Sequence, residues 1–500
     1  MDPVSLFGAQ DEATYSRITL EMLHGHHWLA PTLLGRIAYF KPPLLYWLSG
    51  LSVEGLGASA YALRLPSILA GAGVCAIAFD WVARARGVFP GLFTVLLLAG
   101  DYFWITLGSL NMMDAPLAFL SVAALYAVAR DPGLSRRQTQ VIAGLLLGLA
   151  VLMKSVAALP AFAAIAAAAL LSKTRVFPVI RTFGIAALAI APWLGYTLAT
   201  HFGWFWKEHV QTELFGHNVA GQAFSSPLTN VPFYFQRLVG ADPLLAVIGA
   251  AAILWLVFRG RWRDVTLPLF WLTFCVLVLC TFGYRAATYL LPIMTALAII
   301  AGFAVPRIPR NWAALMLVAI LALQAGKLFR DSRIVWKGSN LTVAPALVNY
   351  CEQRRANALF VIETDDEFFS AALPLREVHY GLLNQGRAAL RFAIDFQSLG
   401  IIVPSEEFDE KQRYWPTYRA RLTAMGLPAS LDPRATLVLF KDDEAIRRFI
   451  SGHAELDFLV PKRYAEADQL HSRVDANTGH VLLLGISVGS TTPAWTCRLS

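Results

Sequence analysis

The chain is 500 residues long, 56% hydrophobic and only 15% charged, with a mean hydropathy of +0.52. That is too apolar to close around one aqueous core, so composition excludes a single water-soluble globule and sets the expectation of a polytopic membrane protein. A net charge of +8 and a pI near 9.3 do not imply a nucleic-acid partner, because the basic residues sit in short clusters between apolar stretches, as membrane topology requires.

The chain opens with an acidic pair, Asp11-Glu12, followed by an amphipathic stretch that sets Ile18, Met22 and Leu23 on one face of a helix with Asp11 at its cap. Next comes Tyr39-Phe40-Lys41-Pro42-Pro43, in which two prolines force an extended backbone behind the lysine. Residues 44–57 are too short to span. Tyr46 and Trp47 suit the headgroup zone, so this piece is expected to lie along the surface. No apolar segment precedes Asp11 in the ten residues given. Either the span at 61–83 draws its own flank across the bilayer, or an initial helix is missing from this reading of the gene.

A bilayer core takes about 20 apolar residues per helix. The sequence offers spans near 61–83, 88–107, 110–129, 139–153, 156–171, 182–200, 241–258, 264–283, 286–305 and 312–329. Arg84 and Arg86; Arg130, Arg136 and Arg137; Lys173, Arg175 and Arg181; Arg259, Arg261 and Arg263; and Arg307 and Arg310 fall in alternate connectors, which the positive-inside rule assigns to the cytoplasm. Residues 1–60, the turns near 108–114, Lys154 and Gly283, the loop 201–240 and everything after about 330 then share the opposite side, the periplasm of a Gram-negative cell.

After about residue 330 hydropathy falls and charge returns. Short β-rich runs at 358–363, 400–404, 435–440 and 480–485 alternate with helical patterns near 343–356, 407–425 and 443–451, which predicts a soluble α/β domain over 331–500. The expected fold is thus an all-α membrane domain of about 10–11 spans over 61–330, preceded by a periplasmic loop over 1–60 and followed by that domain. Of five scattered cysteines none has metal-ligand spacing; Cys351 and Cys497 can be read as a disulfide or as two free thiols. The acidic run from Thr364 to Glu367 reads as a capping box rather than a metal site.

Each candidate site residue has a bland reading beside a chemical one. Asp11 and Glu12 suit a helix start, and Asp114, with Pro116 close behind, suits an N-cap, yet ionisable groups at membrane depth are costly and usually paired or functional. Lys41 and Lys154 can snorkel or bind phosphate; Arg285 can anchor a helix or grip phosphate with its planar fork, beside Tyr289. His209, Glu213 and His217 recur at i, i+4, i+8 among interfacial aromatics and offer ligands to a divalent metal. Together these describe a membrane cavity with carboxylates for proton abstraction and cations for a lipid phosphate.

The motifs Asp11-Glu12-Ala-Thr-Tyr15, Glu21-Met22-Leu23-His-Gly25 with Trp28 and Pro31, Tyr39-Phe40-Lys41-Pro42-Pro43, Tyr46-Trp47 and Arg64-Leu-Pro66-Ser resemble the bacterial branch of the protein O-mannosyltransferase superfamily, including the aminoarabinose lipid A transferases. Met113-Asp114-Ala-Pro-Leu117, Leu152-Met-Lys154-Ser and Tyr289-Leu-Leu-Pro292 resemble later motifs of that family, in the same order over roughly residues 10–300. The resemblance implies a C-class membrane glycosyltransferase that takes a sugar from undecaprenyl phosphate on the periplasmic face of the inner membrane. It implies Asp11 as the acceptor-activating base, Lys41 and Arg285 as holders of the donor phosphate, and Asp114 in support. Glu12, Lys154 and Tyr289 complete the candidate set. His209 resembles a histidine that binds metal in some relatives, but those relatives carry an acidic residue where this chain has Phe40, which favours catalysis without a metal. Ser155-Val156 also departs from the glycine-proline that follows the lysine in the family.

Two other readings stand beside this one. A transporter or flippase of lipid-linked sugars would be expected to show broken helices or symmetric halves, neither of which is evident in the sequence. An inactive family member acting as a scaffold is the other. The sequence names neither the sugar nor the acceptor; lipid A, another glycolipid, a polysaccharide and a protein hydroxyl are all compatible with it.

Overall fold

The computed structural model describes residues 10–33, 36–39, 41–57, 60–207, 209–211, 227–281, 286–306 and 309–338, together with residue 448 and six short strands between 359 and 484. The helices predicted at 343–356, 407–425 and 443–451, the capping run at 364–367, Cys351 and Cys497 lie outside the described residues, Arg448 alone excepted.

Helix α1, Gln10–Gly25, is enclosed by protein. Ile18 and Met22 are fully buried and Leu23 nearly so, but Glu12, Ser16, Thr19, Leu20 and Glu21 are buried as well. The apolar face read from the sequence is buried, and polar residues of α1 are buried beside it; Asp11 lies inside the first turn rather than at the cap. A two-residue hairpin, β1 (Thr32–Leu33) against β2 (Arg36–Ile37), leads to Pro42-Pro43 and helix α2, Leu44–Leu56. One face of α2 buries Leu45, Tyr46, Ser49 and Val53, while Leu48, Leu51 and Leu56 are exposed. Tyr46 is not a headgroup residue. Its ring is fully buried, 6.1 Å from that of Tyr15, because α1 covers it. Trp47, half-buried, donates its indole N–H to the Trp28 carbonyl at 2.5 Å.

Among the described residues, five helical runs are long and apolar enough to cross a membrane: Tyr61–Arg86, Arg137–Leu171, Val176–Phe205, Trp262–Cys280 and Ala287–Ala304. Two bent helix pairs raise the number to seven if each is one span, and Asp114–Ala129 and Ala314–Lys327 are shorter apolar helices. The chain is a multi-pass membrane protein. Helix α3 is Ala60–Arg86, and the spans that follow are not all straight.

The stretch expected to span at 88–107 is broken into α4 (Val88–Ala99) and α5 (Tyr102–Ser109), bent by 75°. Asp101 sits at the break and accepts from the Trp104 amide at 2.7 Å, capping α5. Helix α6 is Asp114–Ala129, α7 Arg137–Lys154, α8 Leu159–Leu171 and α9 Val176–Phe205. A second break, of 117° between Asn230–Ala241 and Pro243–Phe258, separates α10 (Pro227–Ala241) from α11 (Pro243–Phe258), where Asp242 caps α11 through the Leu245 amide at 3.0 Å. Helices α12 (Thr266–Thr281), α13 (Leu290–Ala304) and α14 (Arg310–Gly338) complete the bundle. Lys327 of α14 closes both breaks. Its ammonium lies 2.5 Å from Asp101 and 3.7 Å from Asp242, and also donates to the Ala241 carbonyl.

The run Arg137–Leu171 is one stretch by composition but doubles back at Lys154-Ser155. Lys154 meets Asp114 at the first residue of α6, whereas the Thr174 hydroxyl donates to the Pro132 carbonyl beyond the other end of α6. The turn predicted at Lys154 is thus present, and α7 and α8 run in opposite directions. Helices α7 and α9 run parallel at close approach: a Cβ on Gly144 would come within 2.5 Å of the Thr182 carbonyl oxygen, and one on Gly148 within 2.7 Å of that of Ala186. Helix α13 is apolar all round and buried along nearly its whole length, which makes it the centre of the bundle.

Among the described residues after 338, strands appear at Leu359–Val361 (β3), Ile402–Val403 (β4), Val438–Leu439 (β5) and His480–Leu484 (β8), inside the four β-rich runs of the sequence. Two more, Asp457–Pro461 (β6) and His471–Val474 (β7), were not read from it. They order as β3-β6-β8-β7, with β3 and β6 parallel and the rest antiparallel; β4 and β5 form a separate parallel pair.

Candidate active site

Asp114 is the first residue of α6, with Met113 at the cap position and no side-chain cap bond there. The N-cap reading of Asp114 is therefore corrected. Its Oδ1 is 2.6 Å from Lys154 Nζ, and its buried Oδ2 has no hydrogen-bond partner. The two side chains are 4% and 10% exposed, so Lys154 does not snorkel to water but ends α7 in a buried ion pair. Tyr289 closes a short 3-10 turn, Ala287–Tyr289, ahead of α13, and the Lys154 ammonium lies 4.5 Å above its ring centre. Three of the candidate residues are thereby brought together from three distant stretches of chain.

The turn after Lys154 is conformationally costly. Ser155 has φ +48° and ψ −125°, a region that glycine adopts freely and a residue with a Cβ enters at a cost of about 1–3 kcal/mol. Its hydroxyl lies 2.9 Å from His209 Nε2. The other ring nitrogen, His209 Nδ1, lies 3.1 Å from the Tyr39 carbonyl oxygen. A carbonyl only accepts, so Nδ1 carries a proton; in the neutral ring Nε2 then accepts from the Ser155 hydroxyl. The imidazole also stacks on Phe205, centroids 5.0 Å apart.

Tyr39 is fully buried, with its hydroxyl 3.0 Å from His201 Nδ1. Burial pushes its phenol up to about 12, only partly offset by the Thr197 hydroxyl. His201 stands at a kink in α9, φ −138° and ψ 32°, which turns the chain toward Tyr39. Lys41, two residues on from Tyr39, is half-buried.

Glu12 has a different setting. It is fully buried, its two oxygens take the Arg64 guanidinium at 2.6 and 3.0 Å, and Oε1 also accepts the Asn111 amide at 2.8 Å. The Asn111 side chain continues to Ser16 and Ser49, each at 2.9 Å. This network ties α1 to α2, α3 and the approach to α6. Asp11 precedes Glu12 in α1, and its side chain is outside what is described, as are residues 282–285, which include Arg285.

The residues flanking the motifs pack as one apolar cluster: Tyr15, Tyr39, Met113, Met153, Trp193 and Phe205. The neighbours of Glu12, Lys41, Asp114, Lys154 and His209 thus share one body. Sequence reasoning missed the Ser155–His209 link, the role of Asn111, and the cluster Asp101–Lys327–Asp242. A lone carboxylate inside an apolar run is a signal that would have found Asp101.

A metal at His209, the alternative to the metal-free catalysis that Phe40 favours, meets a poor donor set here. Both ring nitrogens are engaged in hydrogen bonds, Phe40 supplies no ligand atom, and no group of three His, Cys, Asp or Glu is gathered among the described residues. Glu213 and His217 lie outside those residues.

Residues 40–196 match the family model of the dolichyl-phosphate-mannose-protein mannosyltransferases. The chain is 28% identical over 314 residues to an undecaprenyl phosphate-alpha-4-amino-4-deoxy-L-arabinose arabinosyl transferase of Sodalis glossinidius, covering 58% of this chain and 53% of that one. To the transferase of the same name in Aeromonas salmonicida it is 27% identical over 322 residues, covering 58% and 54%. The chain spans about half the length of the curated relatives it matches. In fold it is similar to the crystal structure of ArnT from Cupriavidus metallidurans, both apo (TM-score 0.55, 17% identity, 96% of this chain and 94% of that one) and bound to undecaprenyl phosphate (TM-score 0.54, 16% identity, the same coverage). The resemblance read from the motifs therefore stands as a likeness: the chain is similar in sequence, over residues 40–196, to the dolichyl-phosphate-mannose-protein mannosyltransferase family, and in fold to ArnT.

Proposed function

We propose that the chain is a membrane glycosyltransferase that moves a sugar from undecaprenyl phosphate, or a similar polyprenyl phosphate, to an acceptor hydroxyl or phosphate on the periplasmic side of the inner membrane. The observation that carries this reading is the buried Lys154–Asp114 pair beneath Tyr289, set where the α7–α8 turn, the start of α6 and the start of α13 converge. A paired ammonium in a water-poor junction is a preorganised site for a lipid phosphate, because it needs no reorganisation when negative charge builds up on the leaving group. The curated relatives are named as undecaprenyl-phosphate aminoarabinose transferases, and the solved ArnT was captured with undecaprenyl phosphate, which supports the donor class.

In the proposed reaction Asp11 takes the proton of the acceptor, whose oxygen attacks the anomeric carbon of the sugar. The bond from that carbon to the phosphate oxygen breaks, and the polyprenyl phosphate leaves with the electron pair. Lys41, Lys154 and Arg285 are assigned to stabilise that charge, with Tyr289 beside Lys154, and Asp114 holds Lys154 in place. Glu12 acts indirectly, holding α1, the helix that carries Asp11, through Arg64. His209 is not given a metal, and no step passes through one.

The sugar is a pentose or a hexose; the named relatives favour aminoarabinose, with lipid A or another envelope glycoconjugate as acceptor. The basic connectors face the cytoplasm, the site and residues 331–500 face the periplasm, and the latter form a separate α/β domain. The transporter reading gains from the two helix breaks. Both, however, are capped by their own aspartate and joined by Lys327, which leaves the broken ends filled by protein. Mass analysis of envelope lipids and glycans from cells with and without the gene tests the assignment: loss of one pentose or hexose increment is expected, and an unchanged envelope contradicts it.

A further inference from the structure

The link between Tyr39, His209 and Ser155 joins two parts of the molecule that neither sequence nor the proposed chemistry connects. One end is the carbonyl two residues before Lys41; the other is the hydroxyl immediately after Lys154. Between them stands one imidazole, which donates Nδ1–H to the Tyr39 carbonyl and hydrogen-bonds the Ser155 hydroxyl through Nε2. The ring is buried and stacked on Phe205, so it has little freedom to swing away. Ser155 holds a backbone conformation suited to glycine, and the hydroxyl that reaches His209 is a reason for a serine to occupy it.

We propose that Ser155 and His209 are positioning residues forming a hydrogen-bonded strut that sets the spacing of Lys41 and Lys154, and with it the grip on the donor phosphate. The proposal rests on the reading of those lysines as the phosphate cations. Neither strut residue touches the reacting atoms. The strut also uses His209 Nε2, the nitrogen a metal at this position would need, with a hydroxyl donor in place of a cation. Holding the two lysines from behind lets the pocket meet the phosphate without spending binding free energy on ordering a loop.

The test uses the full chain in lipid nanodiscs, with undecaprenyl phosphate as the probe, and compares wild type with Ser155→Ala, Ser155→Gly, His209→Phe and the Ser155→Ala/His209→Phe double variant. Losing one such hydrogen bond is expected to weaken probe binding about tenfold in each single variant. The double variant should be no weaker than the poorer single one, because both act on one link. Ser155→Gly should weaken the probe equally while melting no earlier than wild type, since glycine relaxes the turn; this separates positioning from folding and still decides the matter if His209→Phe fails to fold. Nitrogen-15 NMR of histidine-labelled protein should show a neutral Nδ1–H ring whose signal shifts in Ser155→Ala and vanishes in His209→Phe. Wild-type binding with every variant within twofold of it overturns the strut alone, as does a double variant whose losses multiply. Absence of wild-type binding overturns the donor assignment, and the strut's role with it.

Discussion

Lys154 and Asp114, forty positions apart in sequence, meet at 2.6 Å with almost no exposure to solvent, and only one of the two carboxylate oxygens is used. Removing either partner strands the other charge in a poorly solvated junction. Lys154→Met or Asp114→Asn is expected to cost about 3–5 kcal/mol of stability, whereas the double variant recovers most of it because no charge is left uncompensated. Denaturation of the purified protein in detergent measures this. A double variant as unstable as the sum of the singles would falsify the account of the pair.

Glu12 and Arg64 test whether a conspicuous carboxylate acts chemically or structurally. Because Glu12 is fully buried and held by a two-pronged contact, Glu12→Gln should lower stability by about 3–5 kcal/mol. Arg64→Lys keeps the charge but cannot make both contacts, and should destabilise as well. If Glu12→Gln abolishes transfer with an unchanged melting temperature, the structural role assigned to Glu12 is wrong.

Tyr39 gives a pH dependence of defined sign. The folded protein holds the phenol proton up to about 12, against the ordinary phenol value of 10.0. Above the unfolded value the unfolded chain ionises while the folded one stays protonated, so stability is intact below pH 10.0 and falls as pH rises toward about 12. The loss attributable to this group is on the order of 2 kcal/mol. Melting curves across that interval should show a steeper decline in wild type than in Tyr39→Phe; parallel declines would contradict the burial argument.

Much of this architecture was legible in the amino-acid order, and the parts that were not have physical causes. Hydropathy located the apolar helices because lipid contact demands it, and the Lys154 turn stood out as a cation between two apolar runs. The breaks at Asp101 and Asp242 were lost because a window of about 20 residues averages over a single carboxylate. Tyr46 was misplaced for the same reason in reverse: the residue pattern around it reports an interfacial character, not whether another helix covers it. The motifs gave the candidate residues Asp114, Lys154 and Tyr289, which the fold brings together, but not the burial of Glu12 by Arg64 or the Ser155–His209 link. Hydrogen bonds between residues so far apart in sequence leave no periodic trace.

Orientation can be tested independently of chemistry. The basic connectors lie in alternate loops; Arg86 at the end of α3 donates to the Val305 carbonyl beyond the end of α13, which puts those two ends on one side of the bundle. Reporter domains fused after residue 133 are expected to report cytoplasm, and those fused after residue 338 periplasm. The opposite pattern, or the same side for both, contradicts the proposed topology.

The most direct measurement is transfer itself: purified protein in liposomes, given undecaprenyl-phosphate aminoarabinose and lipid A, with release of undecaprenyl phosphate and modified lipid A both followed by mass spectrometry. The account predicts release that depends on the acceptor, and its loss by at least about a thousandfold in Asp11→Asn with normal folding, in keeping with the removal of a general base. Undiminished transfer by Asp11→Asn would contradict the central claim, as would wild-type protein that leaves both this donor and hexose-bearing polyprenyl phosphates intact with every envelope acceptor supplied.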